Sequence, residues 1–317
     1  MSRLISKDDH IMRKQDGITR IDLVVALACL VFILANVQII TAGGRYRAKR
    51  EVCLVNLRML AAAWAMYADD NQGKIPPGDV YYSWSFVAGI GGPQLAWHEW
   101  PHPFPHAMPP SISTNQTAAY GYTIPEPVKD KWQHAIAEGT LWKYVKDYKI
   151  YQCPVGDKNQ YVTYAMSHSM NTWRMLSPPT QSGDSGTIAH SISNRAQIAQ
   201  PAERFVFLDT GYAKHGAFFV SRNSSGGSGC SGMWWGDSPP MRHEQGTTFS
   251  FADGHAQYRK WTDPITIAFG NQPGYWGNCS GYTTAQRYCD CDLRWMVKVT
   301  WGDVPYPCTD PNKNCPD

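Results

Sequence analysis

The residues best suited to chemistry are histidines and carboxylates in a few short stretches. In RHEQGTTFSFADGHAQYRKW, His243 is followed after nine residues by Asp253-Gly254. Phe249 and Phe251 alternate before that pair, which describes a strand, an Asp-Gly turn and a returning strand through Ala256 and Tyr258. A strand of about ten residues at 3.3 Å each separates His243 from Asp253 too widely for one ion or an acid-base pair. Each is therefore expected to anchor its own end of the hairpin: Asp253 by accepting N–H bonds across the turn, His243 by bonding a neighbouring loop. His98, His102 and His106 stand four apart beside Glu99, a metal-binding face if helical, but Pro101, Pro103 and Pro105 forbid the helix and leave an extended aromatic loop. DDNQGK and CTDPNKNCPD offer oxygens at calcium-like density, with Asp69, Asn71 and Asp310 as candidate ligands. Neither carries the closing Glu of an EF-hand loop, so helix termination and a disulfide loop are the plainer readings, and no cofactor is expected.

The stretch ERFVFLDTGYA reads as a buried strand, Phe205 to Leu208, entering a turn at Asp209-Thr210-Gly211. Aspartic-protease chemistry needs two such aspartates around one water, and only one copy occurs here, so a second chain would have to supply the other. No complete set of acid, base and nucleophile emerges, and an enzyme is not expected.

These residues need elements to position them. Cys53, Leu57, Leu60, Trp64 and Tyr67 recur at spacings of 4, 3, 4 and 3, one face of a helix that should end near Asn71, Gly73 and two prolines. TLWKYVKDYKIYQCP suggests a short amphipathic helix with Leu141, Tyr144, Val145 and Tyr148 on one side, leading to Cys153 in a turn. The abundance of Trp, Tyr, Gly and Pro favours short strands and long loops. A net charge of +3 over 317 residues, without a basic block, excludes nucleic acid as a partner.

Nine cysteines are unevenly spread. Cys29 lies in an apolar run, Cys53, Cys153 and Cys230 stand singly, and Cys279, Cys289, Cys291, Cys308 and Cys315 crowd the tail. Without a C-x2-C pair, disulfides are favoured over zinc, and with them an extracytoplasmic location. The six from Cys230 onward allow 15 pairings among themselves.

From Leu23 to Gly44 there are 22 residues without a charge, roughly 33 Å of helix, which suggests one membrane span. A signal peptide fits less well, because the leader is long and the helical pattern continues past Ala42-Gly43-Gly44. Arg45, Arg47, Lys49 and Arg50 after the span argue for the reverse orientation by the positive-inside rule, whereas the cysteine-rich end favours a head outside the cytoplasm.

The leader ending in Gly17, Asp22 five positions beyond, the apolar run and REVCLVNLRMLAAAWAMYADDNQGKIP resemble the type IV prepilin signal of pseudopilin-like proteins. The stretch from His243 to Gly254 resembles the hallmark of prepilin-type cleavage/methylation proteins with an H-X9-DG domain. This resemblance implies that a prepilin peptidase cuts between Gly17 and Ile18 and methylates the new amino terminus. Asp22 then stands where the family has glutamate, and the freed amine of a neighbouring copy would neutralise a carboxylate that otherwise costs about 2.5–3.5 kcal/mol at the centre of a bilayer. The shorter Asp22, and Arg20 in a place that the family fills with an apolar residue, are departures. Cys53 and Cys153 look like the family's recurrent pair.

The implied fold is α+β and pilin-like. A leader (1–17) precedes a long N-terminal helix with a transmembrane half (18–44) and an amphipathic half (45–75). The helix packs on a β-rich, antiparallel-sheet head (76–317) with long loops, an H-X9-DG hairpin (243–258) and a cysteine-rich tail (279–317). The implied protein is a structural pilin-like or pseudopilin-like subunit, single-pass in the bacterial inner membrane, that assembles with itself through the N-terminal helix into a surface filament or secretion pseudopilus. The alternative is a monomeric membrane-anchored protein binding carbohydrate or another envelope ligand through exposed Trp and Tyr.

Overall fold

The computed structural model describes residues 19–78, 128–156, 161–171, 192–210, 217–225, 231–272 and 282–315. The chain divides into two units, Met1–Arg47 and Ala48–Asp317. Helix α1 runs from Arg20 to Asp70. At its start Thr19 Oγ1 accepts the Asp22 N–H (3.2 Å), while Asp22 Oδ2 accepts the Thr19 N–H (2.9 Å) and hydroxyl (2.7 Å). This reciprocal box satisfies donors that a helix N-terminus leaves unpaired, and it places a negative charge at the positive end of the helix dipole.

The expected transmembrane half needs correction. Among the described residues no helix is long and apolar enough to cross a membrane. The membrane-spanning helix of the pilin-like fold and the single-pass inner-membrane placement that rested on it are therefore both overturned.

In the second unit α1 does what its spacing suggests: Cys53, Leu57, Leu60 and Trp64 are fully buried and Tyr67 packs against them. Asn71 and Gly73 return their N–H groups to the Ala68 carbonyl and end the helix. The helix covers one face of a five-stranded sheet ordered β3-β1-β2-β6-β7, with β1 Tyr164–Ser167, β2 Phe205–Asp209, β3 Ala217–Phe218, β6 Gly246–Phe251 and β7 Ala256–Lys260. The sheet is mixed rather than purely antiparallel, because β3 joins β1 in parallel. A second sheet pairs β4 (Val220–Ser225) with β5 (Ser231–Trp235).

The single stretch expected to form one helix before Cys153 is broken. Helices α2 (Val128–Glu138) and α3 (Trp142–Val145) are followed by Lys146 in the left-handed region, and a separate 3-10 turn carries Tyr148–Tyr151. Beyond the second sheet lie α4 (Pro264–Gly270), α5 (Thr284–Tyr288) and α6 (Cys291–Trp301). The tail is thus partly helical. Asp290 caps α6 by accepting the Asp292 and Leu293 N–H groups, and Leu293, Met296, Val297 and Trp301 turn inward onto Phe205, Leu208, Phe249 and Phe251. Two bridges staple this end, Cys289–Cys308 and Cys291–Cys315.

A bulge in β2 decides what the site contains. Phe205 pairs with Phe251, yet Phe207 pairs with Ser250, so one extra residue sits in β2 between them. Val206 and Phe207 both join the core against α1, while Phe205 and Leu208 face the opposite core. With an unbroken period of two, Asp209 would share the face of Phe205. The bulge turns it to the α1 side.

Candidate functional site

Asp209 ends β2 with its side chain fully buried. Its Oδ2 accepts the His243 Nε2–H at 3.0 Å, and its Oδ1 accepts Arg242 Nη1 at 3.1 Å. The Thr247 hydroxyl donates to the Asp209 backbone carbonyl, and the Thr210 N–H donates to Thr163 O at 2.9 Å. Against this pair lies the Cys53–Cys153 disulfide, which joins α1 to the turn after the 3-10 helix. Cys153 Sγ is 3.4 Å from His243 Nε2, and Cys53 Sγ is 3.7 Å from Asp209 Oδ2. Burial pushes the nearby Tyr164 phenol well up, and the charge of Asp209 adds to that effect. Asn56 bonds the same hydroxyl at 3.3 Å.

His243 reaches this position through an unusual backbone. His243, Glu244 and Gln245 all take positive φ (59°, 63° and 62°), a left-handed turn that costs roughly 1–2 kcal/mol per non-glycine residue. Its surroundings hold it. Tyr258 donates its hydroxyl to the His243 carbonyl at 2.7 Å, the Trp261 N–H donates to Gln245 O at 2.9 Å, and Trp261 Nε1 donates to Pro240 O at 2.7 Å. Arg50 lies over the Tyr258 ring, 4.3 Å from its centroid. Strain that is over-determined in this way marks places where side-chain position matters.

The other half of the motif is built separately. Asp253 accepts the His255 N–H (3.1 Å) and Nδ1–H (2.6 Å) across the turn, and Gly254 supplies φ 93°. Burial works to raise the Asp253 carboxyl, but the His255 hydrogen bonds outweigh it and hold the group below its ordinary value. His243 and Asp253 thus occupy opposite ends of β6, and the structure does not bring them together.

Of the remaining residues singled out in the sequence, Asp69 forms an ion pair with Arg195 (2.9 Å). Asn71 Nδ2 donates to Tyr67 O at 2.7 Å, and Asp310 Oδ1 accepts the Asn312 N–H at 2.9 Å. Gly17, Ile18, Cys230, Cys279, Gly211 and the histidines from His98 to His106 lie outside the described residues. Sequence reasoning missed Asp209 as the partner of His243. The usable signal was the carboxylate closing the apolar run FVFL, since a charge at the end of a buried strand requires a buried counterpart.

Comparison of the chain with protein-family models, with curated proteins and with solved structures finds no match.

The arrangement contains a buried donor-acceptor pair, a guanidinium and a cystine. It suits holding α1, β2 and the β6–β7 hairpin in fixed register, and its four inward-pointing atoms also have the composition of a metal ligand set.

Proposed function

We propose that the chain is a self-assembling structural subunit whose copies pack through α1 into a polymer. The observation that carries this reading is an apolar stripe on the face of α1 turned away from the core. Val52, Val55 and Met59, then Ala62 and Met66, follow spacings of 3, 4, 3 and 4, and the four larger side chains remain 44–51 % exposed. Such spacing is the seam of one helix against another, and Glu51 and Arg58 flank it with opposite charges. Towards its start α1 is apolar on all sides, with Leu23, Val24, Val25, Leu27, Val31 and Phe32 all more than half exposed. A helix apolar all round calls for several neighbours rather than one, which favours a polymer over a dimer.

Asp22 fits the same reading. Both bonds that it accepts from Thr19 fall on Oδ2, so Oδ1 can meet the amine of a neighbouring copy once a prepilin peptidase has exposed Ile18. That pairing would set the register between copies. The test is sedimentation and electron microscopy of the processed full chain beside Met59→Glu. The parent should form polymer, whereas the variant, with an unchanged circular dichroism spectrum, should stay dispersed. A parent that remains monomeric, or a variant that assembles equally well, rejects the reading.

A further inference from the structure

The cystine and the Asp209–His243 pair converge on one point. Sγ of Cys53, Sγ of Cys153, a carboxylate oxygen of Asp209 and a ring nitrogen of His243 all lie within 4.8 Å of one another, and all four residues are buried. Four-coordinate zinc holds sulfur at about 2.3 Å and nitrogen or oxygen at about 2.0–2.2 Å, which puts neighbouring ligand atoms roughly 3.3–3.8 Å apart. The cross-distances here are 3.4 Å (Cys153 to His243), 3.0 Å (His243 to Asp209) and 3.7 Å (Cys53 to Asp209).

We propose that Cys53, Cys153, Asp209 and His243 form a zinc site when the cystine is reduced, so that the disulfide and the metal are alternative locks at one position. A thiol reductant breaks the sulfur-sulfur bond by exchange: two electrons and two protons pass to Cys53 and Cys153, and the reductant leaves as its own disulfide. Zinc then displaces both thiol protons. The histidine proton moves from Nε2 to Nδ1, freeing the Nε2 lone pair for the metal, and the carboxylate of Asp209 completes the set.

The surrounding shell suits this use. Two thiolates and one carboxylate leave a zinc complex with one net negative charge, and Arg242 is already bonded to Asp209 Oδ1. The Cys153 N–H donates to Thr163 Oγ1 at 2.6 Å, and the Thr247 hydroxyl holds the Asp209 backbone. Outer-shell bonds of this kind orient metal ligands. The ligands come from α1, a turn, the bulged end of β2 and the left-handed turn, at positions 53, 153, 209 and 243, which is why no compact spacing announces them.

The experiment uses the full chain, reduced under anaerobic conditions and titrated with zinc, with each cysteine's alkylation mapped by peptide mass spectrometry. Mapping separates this site from the other cysteines, which also become thiols. Zinc should protect Cys53 and Cys153 from alkylation and from reoxidation, and X-ray absorption on cobalt- or zinc-loaded protein should show a mixed sulfur and nitrogen/oxygen shell containing imidazole. His243→Ala and Asp209→Asn keep all nine cysteines, and each should weaken the protection of Cys53 and Cys153 by at least about tenfold. Equal alkylation of these two thiols with and without zinc in the parent chain overturns the proposal, whether or not the variants fold. Undiminished protection in a folded His243→Ala protein does so too.

Discussion

The bond between His243 and Asp209 should be among the largest single polar contributions to the stability of the second unit. Both side chains are fully buried, 3.0 Å apart, and Arg242 is the other charged group on the carboxylate. Replacing His243 by Ala leaves a buried carboxylate short of a partner, which costs about 3–5 kcal/mol. The strained backbone does not offset this loss, since alanine at φ 59° bears the same penalty. His243→Gly escapes that penalty and should be about 1 kcal/mol more stable than His243→Ala. Asp209→Ala removes the acceptor, and the double variant should cost less than the two single variants added together. The difference is the coupling of a charge-assisted buried bond, about 1.5–3 kcal/mol. Equilibrium urea unfolding of the oxidised, dispersed chain measures all four corners of the cycle, with the buried Trp64 and Trp261 as fluorescent reporters. Additivity within about 0.5 kcal/mol would refute the argument that these residues act as a pair.

Two further predictions concern the hairpin and the tail. A β-carbon on Gly246 would lie 2.2 Å from the Arg259 carbonyl oxygen and 2.8 Å from Lys260 Cα, both backbone atoms, so Gly246→Ala should cost more than 2 kcal/mol. At Gly254 nothing lies within 4 Å, and Gly254→Ala should cost only the roughly 1–2 kcal/mol of its positive φ; thermal melts of the two variants compare them directly. Burial, with Asp263 adding repulsion, pushes the Asp290 carboxyl from its ordinary 3.8 up to about 7. The folded chain therefore holds this proton more tightly than the unfolded one. The stabilisation is complete below about pH 3.8 and is lost as pH rises to about 7, on the order of 4 kcal/mol in all. Relative to Asp290→Asn, the parent should lose melting temperature between pH 4 and 7, and parallel pH profiles would contradict this.

Parts of this architecture are legible in the residues. The α1 core face follows from the three- and four-residue spacing of Cys53, Leu57, Leu60 and Trp64, and the β6–β7 hairpin from Phe249, Phe251 and Asp253-Gly254. The break at Lys146 was hidden, because the apolar positions continue in helical register while the backbone leaves it through a single left-handed residue, and Asp147 then accepts the Lys149 N–H. Helix α6 was readable in principle, since Leu293, Met296, Val297 and Trp301 repeat at helical spacing, but the neighbouring cysteines drew attention to loops. The membrane-length reading of α1 rested on the uncharged run from Leu23 to Gly44, and among the described residues no helix is long and apolar enough to cross a membrane. Beyond the carboxylate that closes FVFL, the site was not legible. Its meeting of Asp209 with His243 depends on β2 lying beside β6 and on an unpaired residue in β2 that reverses the facing of Asp209. Neither strand order nor a bulge leaves a local signature in FVFLD.

The most direct test of the assembly reading is intact-mass analysis of the chain recovered from the sedimenting polymer fraction. Subunits that begin at Ile18 with a methylated amine, alongside full-length chain confined to the dispersed fraction, are the predicted result. Polymer built from chains that still begin at Met1 would contradict it.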